Sequence, residues 1–174
     1  MGQPQILLRP PVVSDEQQAL QAHEELAQDG FEFLLDLERG TAWPTYLGRL
    51  ESLRLGVDLP KDRVPATFLV AEVEGQVVGR VSIRHELNAY LADVGGHLGY
   101  AVRPGFRRRG YATGILRQSL VVASALGLER VLVTCDVDNV GSAKVIEICG
   151  GVLQNVVPGP GGSVPKCRYW VEVG

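Results

Sequence analysis

The amino-acid sequence predicts one α/β domain, residues 1–174, with a mixed β-sheet flanked by helices. Its 174 residues correspond to one domain of ordinary size. A strand, a helix and a strand follow one another between His97 and Cys135, and this order indicates a parallel strand pair joined by a crossover helix. Strands in hairpin order precede and follow that unit, which predicts antiparallel pairs on both sides.

The N-terminal part predicts a short strand and then helices. The strand, Ile6–Arg9, ends at two prolines. Ser14 is the expected N-cap of the first helix, whose apolar pattern continues to Leu37 with a break at Gly30. A further helix extends from Pro44, a favourable first-turn residue, to Gly56.

A hairpin of two strands follows, at Thr67–Val73 and Val77–His85, with a turn at 74–76. Apolar residues alternate with polar ones along the second strand, which predicts one face exposed to solvent. The polar residues are Arg80, Ser82 and Arg84.

The remaining elements complete the order β-α-α-β-β-β-α-β-α-β-β. They are a loop at Asn88–Gly96, a strand at His97–Val102, a helix from Arg109 to Gly127, an apolar central strand at Val131–Cys135, a helix at Gly141–Cys149, and two strands at Val152–Val157 and Cys167–Val173.

Composition excludes several classes of protein. Hydrophobic residues at 45% and charged residues at 21% argue against disordered, collagen-like and coiled-coil chains. The longest apolar stretch, near Leu120–Leu128, is too short to span a membrane. A net charge of −3 gives no general attraction to nucleic acid or to an anionic membrane, so we expect neither as a partner.

The termini and cysteines predict the compartment. We expect no signal peptide, because Met1–Pro4 leads directly into a polar and then strand-like segment, and no myristoylation, because Ile6 stands where that site needs Ser or Thr. The three cysteines, Cys135, Cys149 and Cys167, have no metal-ligand spacing. We therefore expect a cytoplasmic protein with reduced thiols and no metal.

The segment 102–117 predicts a binding site for a polyanion. A strand ends, a short turn follows, and the first N–H groups of a helix are left without intrahelical acceptors. Gly110 and Ala112 allow a phosphate to approach the backbone. A P-loop or dinucleotide glycine pattern does not follow this strand. Five arginines and no acid lie in the segment, namely Arg103, Arg107, Arg108, Arg109 and Arg117.

Two motifs carry a resemblance to a known family. Arg107-x-x-Gly110-x-Ala112 opens the helix after the fourth strand, and Asn139-x-x-Ser142 opens the helix after the fifth strand, which closes at Gly150. Both motifs, and the element order from Ile6 to Val173, resemble the GCN5-related N-acetyltransferase (GNAT) superfamily.

The resemblance implies a sheet that splays between strands 4 and 5, with acetyl-CoA in the gap. It implies that acetyl-CoA is held by Tyr100, Ala101, Val102, Arg107, Arg108, Arg109, Gly110, Tyr111, Ala112, Thr113, Asn139 and Ser142. The implied reaction is direct transfer of the acetyl group to a primary amine of a small molecule or peptide. The alternative is a non-catalytic module that binds acyl-CoA and regulates.

The catalytic groups stay open at this point. Many family members carry a Tyr as general acid where this chain has Ile146, so Ser142 or water is the expected proton donor to the CoA thiolate. His97, whose ordinary pKa is near neutrality, is the first candidate for the general base, with Glu86 and Asp93 as alternatives.

The acceptor is expected to be a cationic amine. Eight acids and one arginine lie within residues 14–40, so the segment has a net charge of −7 and could attract a positive substrate. Tyr169 or Trp170 could line the acceptor pocket. The sequence names neither the acceptor nor the oligomeric state, and a homodimer is one alternative.

Overall fold

The computed structural model describes residues 5–174. The first four residues, which bear on the expected absence of a signal peptide and a myristoylation site, lie outside this range. The strands are β1 (Leu7–Arg9), β2 (Ala66–Val73), β3 (Gln76–Arg84), β4 (Leu98–Val102), β5 (Arg130–Asp136), β6 (Val152–Val157) and β7 (Lys166–Glu172). The α-helices are α1 (Glu16–Ala27), α2 (Trp43–Leu55), α3 (Tyr111–Ala125) and α4 (Val140–Ile148).

The strands form one sheet in the order β1-β2-β3-β4-β5-β7-β6. Neighbouring strands are antiparallel except β4 and β5, which are parallel and in register only at Leu98 and Val133. The parallel pair exists because α3 crosses over between the two strands. The predicted fold class, a mixed and mostly antiparallel sheet that splays between its fourth and fifth strands, is therefore confirmed.

The two faces of the sheet bury separate hydrophobic cores. Under α3 and α4, residues such as Ile115 pack against Val81 and Val131. On the opposite face, under α1 and α2, Tyr46 packs with Phe68. Each residue of a central strand therefore faces one of two different layers.

The prediction that one face of β3 is exposed is wrong, because Arg80 and Ser82 are both buried. The Arg80 guanidinium lies between the rings of Phe31 and Phe68, 4.6 and 5.6 Å from their centroids. Cation–π contacts of this kind stabilise a buried charge. The segment 31–37 covers this part of the strand, so the alternation of apolar and polar residues marks two buried faces.

The predicted helical pattern beyond Gly30 is also wrong. Gly30 has a φ of +72°, and the Phe31 N–H donates to Leu26 O at 3.0 Å, as in a helix that ends with a left-handed glycine. Residues 31–37 form turns, yet Phe33 and Leu34 are fully buried. Their apolar spacing reflects burial and not a helical backbone.

The first helix begins one residue later than expected. Asp15, and not the predicted Ser14, is the N-cap of α1. The Asp15 carboxylate accepts the Val12 N–H at 2.7 Å and pairs with Arg9. These bonds fix a short 3₁₀ turn at Val13–Asp15, and Ser14 lies inside that turn.

Arginines from other parts of the chain neutralise most of the acidic segment 14–40. Five of its eight acids form salt bridges. The pairs are Asp15 with Arg9, Glu25 with Arg103, Asp29 with Arg107, Asp36 with Arg63, and Glu38 with Arg49. The negative field that suggested a cationic acceptor is therefore largely cancelled.

Arg103 is the most buried arginine of these pairs, with a side chain 7% exposed. Its Nε and Nη2 donate to the two carboxylate oxygens of Glu25 at 2.9 and 2.8 Å, and its Nη1 donates to Val77 O at 2.9 Å. The guanidinium lowers the pKa of the Glu25 carboxyl below its ordinary value. The pair joins α1 to β3 and to the end of β4.

None of the helices within residues 5–174 is both long enough and apolar enough to cross a membrane.

We expect Arg103→Gln to lower the free energy of unfolding by about 3 kcal/mol, because it leaves a partly buried carboxylate and a buried carbonyl without their donor. Urea denaturation measures this loss. Arg54→Gln is the matched control, since it breaks an exposed pair with Glu51 and should leave stability nearly unchanged. Equal stabilities of the two variants would contradict the structural role of Arg103.

Candidate functional site

The gap between β4 and β5 opens directly after the Leu98–Val133 pair. On its other side β4 stays paired with β3: the Arg84 N–H donates to His97 O, and the Arg103 N–H donates to Val78 O, both at 2.8 Å. Main-chain groups of a strand alternate in direction. The odd-numbered residues 97–103 therefore direct their carbonyl or amide groups to β3, and the even-numbered residues direct theirs to the gap.

Because of this alternation, the three residues predicted to make main-chain contacts with the cofactor do not all face the gap. Tyr100 and Val102 direct their main-chain N–H and C=O groups into the gap. Ala101 directs its carbonyl to β3, where a Cβ on Gly79 would lie 2.4 Å from the Ala101 oxygen. Ala101 therefore does not share the orientation of its two neighbours. A ligand in the gap could pair with β4 as an added strand through Tyr100 and Val102.

The turn between β4 and α3 forms a cradle of N–H groups. Arg108 and Gly110 adopt left-handed backbone conformations, with φ of +61° and +80°. Within residues 5–174, no hydrogen bond is made by the main-chain N–H groups of Arg108, Arg109, Gly110, Tyr111, Ala112 and Thr113. The Arg107 N–H makes one long bond, 3.4 Å, to Pro104 O. Consecutive free N–H groups at the start of a helix bind phosphate groups.

The arginines around the cradle have different roles, which corrects the expectation that they lack counter-charges. Arg103 and Arg107 are paired with Glu25 and Asp29. No carboxylate in the described part of the chain lies within salt-bridge distance of Arg108, Arg109 or Arg117. These three remain available to a bound anion.

A hydroxyl pair lies between β4 and α4. The Asn139 side chain caps α4 by accepting the Ser142 N–H at 3.1 Å. The Ser142 hydroxyl is 3.1 Å from the Tyr100 hydroxyl, and burial raises the pKa of Tyr100 to about 12. Tyr100 therefore stays protonated at neutral pH. The sequence resemblance points to Tyr100 only through its backbone, although strand alternation indicates the direction of its side chain.

His97 bridges β4 and β5 at the closed end of the gap. Its main-chain N–H donates to Leu132 O at 2.7 Å, and its ring Nδ1 accepts the main-chain N–H of Leu132 at 2.9 Å. Burial and the nearby Arg84 lower the pKa of His97 to about 4. Because Nδ1 accepts this bond, Nε2 carries the proton. Neither nitrogen is free to accept a proton, so the geometry disagrees with the expected role of His97 as general base.

The other candidates for the base and for the pocket are also placed. Glu86 and Asp93 are exposed. Tyr169 is buried on the α3 and α4 side, where its hydroxyl donates to Glu147 at 3.1 Å. Trp170 faces the opposite side, with its ring centroid 6.4 Å from that of His97. Of the two aromatic residues, Trp170 is therefore the one that lies on the α1 and α2 side of the sheet.

No cluster of three or more His, Cys, Asp or Glu side chains that could hold a metal ion occurs among residues 5–174. Ile146 is fully buried and offers no proton donor. The chemistry available in the gap therefore comes from main-chain groups, the hydroxyl pair and arginines.

A sequence family described as "Acetyltransferase (GNAT) domain" matches residues 5–152. None of the curated proteins matches the chain in sequence.

Solved structures match the fold over nearly the whole chain. The microcin C7 self-immunity acetyltransferase MccE, in complex with acetyl-CoA and AMP, is 17% identical, with a TM-score of 0.68 over 96% of this chain and 92% of that one. RimJ of Mycobacterium smegmatis, in complex with CoA-disulfide, is 19% identical, with a TM-score of 0.70 over 96% and 81%. An N-acetyltransferase of Staphylococcus aureus is 14% identical, with a TM-score of 0.66 over 98% and 99%.

We expect the His97 bridge to make the protein less stable in acid. The folded-state pKa of about 4 lies below the ordinary value of 6.5, so the unfolded chain takes up a proton first as the pH falls. The contribution of neutral His97 to the free energy of unfolding is therefore complete above pH 6.5 and is lost as the pH falls from 6.5 to about 4. Urea unfolding at a series of pH values measures it.

His97→Asn is the matched variant, because the Asn Oδ1 occupies the place of Nδ1 and accepts the same N–H without titrating. As the pH falls through this range, the free energy of unfolding should decrease more for the wild type than for His97→Asn. A difference that does not change with pH would show that His97 does not titrate as the bridge requires.

Proposed function

This chain belongs to the acetyltransferase (GNAT) domain family, and on that basis we propose that it transfers the acetyl group of acetyl-CoA directly to a primary amine of a small molecule or peptide. The observation that carries the proposal is the cradle of free N–H groups at the start of α3, next to the unpaired edge of β4. The cradle fits a pyrophosphate, and the unpaired edge of β4 fits an extended arm that carries amide groups.

Each part of acetyl-CoA has a matching part of the site. The pyrophosphate lies against the N–H groups of residues 107–113, with Arg108, Arg109 and Arg117 around it. The pantetheine arm pairs with the Tyr100 and Val102 main chain in the gap. Asn139 and Ser142 lie at the reactive end, where α4 begins. Val102 contributes mainly its N–H, since Arg107 Nε donates to its oxygen at 3.2 Å.

The reaction needs one nucleophile and one proton donor. The neutral amine attacks the thioester carbonyl carbon, the C–N bond forms, the C–S bond breaks, and CoA leaves as the thiolate. Ser142 donates its hydroxyl proton to the sulfur and is reprotonated by Tyr100, to which it is hydrogen-bonded. Tyr100 then recovers its proton from solvent. The pair thus supplies the acid that Ile146 cannot.

The proton lost by the amine passes to solvent, directly or through the exposed carboxylates of Glu86 or Asp93. His97 is a positioning residue in this scheme, since its bonds to Leu132 fix the closed end of the gap. The reaction belongs in the cytoplasm, where the thiols of Cys135, Cys149 and Cys167 stay free as they are here.

The experiment that tests the proposal measures CoA thiol release from acetyl-CoA with panels of amines, polyamines, amino acids, aminoglycosides and peptides. Release above the rate of hydrolysis supports an acetyltransferase. Binding of acetyl-CoA without release for any amine would favour the non-catalytic module instead. The hydroxyl pair between Tyr100 and Ser142 favours catalysis.

We expect Gly110→Asp to abolish acetyl-CoA binding, with a loss of affinity of at least about 100-fold, because a carboxylate would stand where the pyrophosphate binds. Titration calorimetry measures the affinity. Gly127→Asp is the matched control, since Gly127 follows the same helix, has a φ of +86° and, like Gly110, has no heavy atom within 4 Å of the point where a Cβ would lie. It adds the same charge and the same strain far from the cradle, and it should bind acetyl-CoA like the wild type. Unchanged affinity in folded Gly110→Asp would contradict the cofactor site.

We expect Tyr100→Phe to lower kcat by about 10- to 100-fold, with little change in the affinity for acetyl-CoA, because the proton relay to the leaving thiolate is broken. Steady-state kinetics with the best amine from the panels measures it. Tyr169→Phe removes another buried phenol hydroxyl and should keep kcat within about threefold of the wild type. Wild-type kcat in Tyr100→Phe would exclude Tyr100 from proton transfer.

A further inference from the structure

Arg84, at the end of β3, carries a positive charge that no carboxylate within residues 5–174 balances. Its Nη1 reaches only the carbonyl oxygens of Gly95 and Gly96, each at 3.4 Å, the outer limit of a hydrogen bond. Burial and the neighbouring Arg63 lower the pKa of Arg84 below its ordinary value. The guanidinium is thus desolvated without a counter-ion.

Two neighbouring arginines have closer hydrogen-bond partners than Arg84 has, although the Nε of Arg80 has none within the described residues. Arg63 is paired with Asp36. Arg80 donates to Gly99 O at 2.8 Å and to Glu32 O at 2.7 Å and lies between two aromatic rings. Of these three guanidinium groups, that of Arg84 makes only long hydrogen bonds, and it is therefore the one to which a bound anion would add most.

Arg84 also lies beside the point where β4 and β5 part. Gly99 is the first residue after β4 and β5 part, and a Cβ on Gly99 would lie 3.4 Å from Arg84 Nη1 and 3.6 Å from Nη2. The guanidinium therefore covers β4 at the mouth of the gap. It lies on the α1 and α2 face, because Arg84 and Arg80 share one side of β3, whereas Tyr100 and Ser142 lie on the α3 and α4 side.

Ser82 adds an independent observation at the same place. It lies between the two arginines on β3 and directly opposite Gly99. Its hydroxyl is fully buried and has no hydrogen-bond partner in the described chain. Buried hydroxyls of this kind are normally completed by water or a ligand.

We propose that Arg84 binds the carboxylate of the acceptor, so that the substrate is an amino acid whose amine lies a few bonds from that carboxylate. The proposal rests on the acetyltransferase function above and specifies its substrate class. The guanidinium offers two parallel N–H donors that match a carboxylate. An amino acid held there would present its nitrogen to the thioester in the adjacent gap. The acceptor then has one positive and one negative group, unlike the cationic amine that the acidic segment suggested.

The test compares matched acceptors that differ only in the carboxylate. Leucine, methionine, phenylalanine and glutamate are each compared with their α-amide and with the amine that lacks the carboxyl group, by CoA thiol release. We expect kcat/KM to be at least about 30-fold higher for the best acid than for its amide or amine. An amide or simple amine that reacts as well as its acid would overturn the proposal.

Variants assign the preference to Arg84. Arg84→Gln should lower the ratio of kcat/KM for the acid to kcat/KM for the amide by at least about 30-fold, mainly through KM, and Arg84→Lys should give an intermediate ratio. Arg63→Gln is the matched control, a neighbouring arginine that already has its carboxylate, and should leave the ratio unchanged. A ratio that survives in Arg84→Gln would overturn the assignment.

A binding measurement separates this proposal from the proposed function. With CoA bound, the N-acetylated acids should raise the melting temperature of the wild type but not of Arg84→Gln, and the N-acetylated amides should raise neither. Absence of this protection, together with no preference for acids in the kinetic test, overturns the proposal even when other amines are acetylated. Failure of acetyl-CoA itself to bind would overturn the proposed function instead.

A purely structural role for Arg84 predicts a different result. If the bonds to Gly95 and Gly96 held the fold together, Arg84→Gln would unfold at a lower urea concentration than the wild type. Since these bonds are long and the charge is desolvated, we expect the variant to be at least as stable without ligand. Marked destabilisation would overturn the ligand role in favour of the structural one.

Discussion

The structure depends on one constraint: β4 and β5 must part while the sheet remains continuous. A single register pair, Leu98 with Val133, joins them, and His97 adds two bonds to Leu132 at the closed end. The neighbouring Gly96 must lack a side chain, because a Cβ there would lie 2.6 Å from Leu132 O. The strands thus meet firmly at one point, and beyond it β4 has an unpaired edge that a ligand can use.

Alternate residues of β4 direct their side chains to opposite faces of the sheet. Even-numbered residues such as Tyr100 face α3 and α4, the side of the hydroxyl pair, whereas Gly99 faces α1 and α2, the side of Arg84. A cofactor can therefore enter from one side and an acceptor from the other, and the reacting atoms meet in the gap. The Arg103–Glu25 pair fixes α1 against the sheet, since it ties that helix to the end of the same strand.

The order of elements could be predicted from the sequence because strand and helix periodicity and their end signals are local. The turn that we propose to bind the pyrophosphate is equally local, since Gly110 and the helix that follows it are adjacent in the chain. What could not be predicted depends on distant partners. Arg80 is buried because Glu32, 48 residues away, supplies a carbonyl. Tyr100 meets Ser142 across 42 residues, and Arg103 meets Glu25 across 78. The ordinary pKa of His97 suggests a general base. Its ring Nδ1 is instead occupied by the N–H of Leu132, 35 residues away, and this long-range bond leaves the proton on Nε2.

The same distinction explains why summing charges over a segment misleads about substrates. The net charge of residues 14–40 is strongly negative in sequence, but most of those acids meet arginines from elsewhere in the fold. A paired and solvated charge contributes little to recognition, because its field is already neutralised or screened. A single desolvated guanidinium without a partner contributes far more, because water competes weakly for it and the free energy of its burial is recovered only when an anion binds. A charge that the fold leaves without a close partner is therefore a better guide to the substrate than the net charge of a segment, and beside the point where β4 and β5 part we propose that this charge is the one on Arg84.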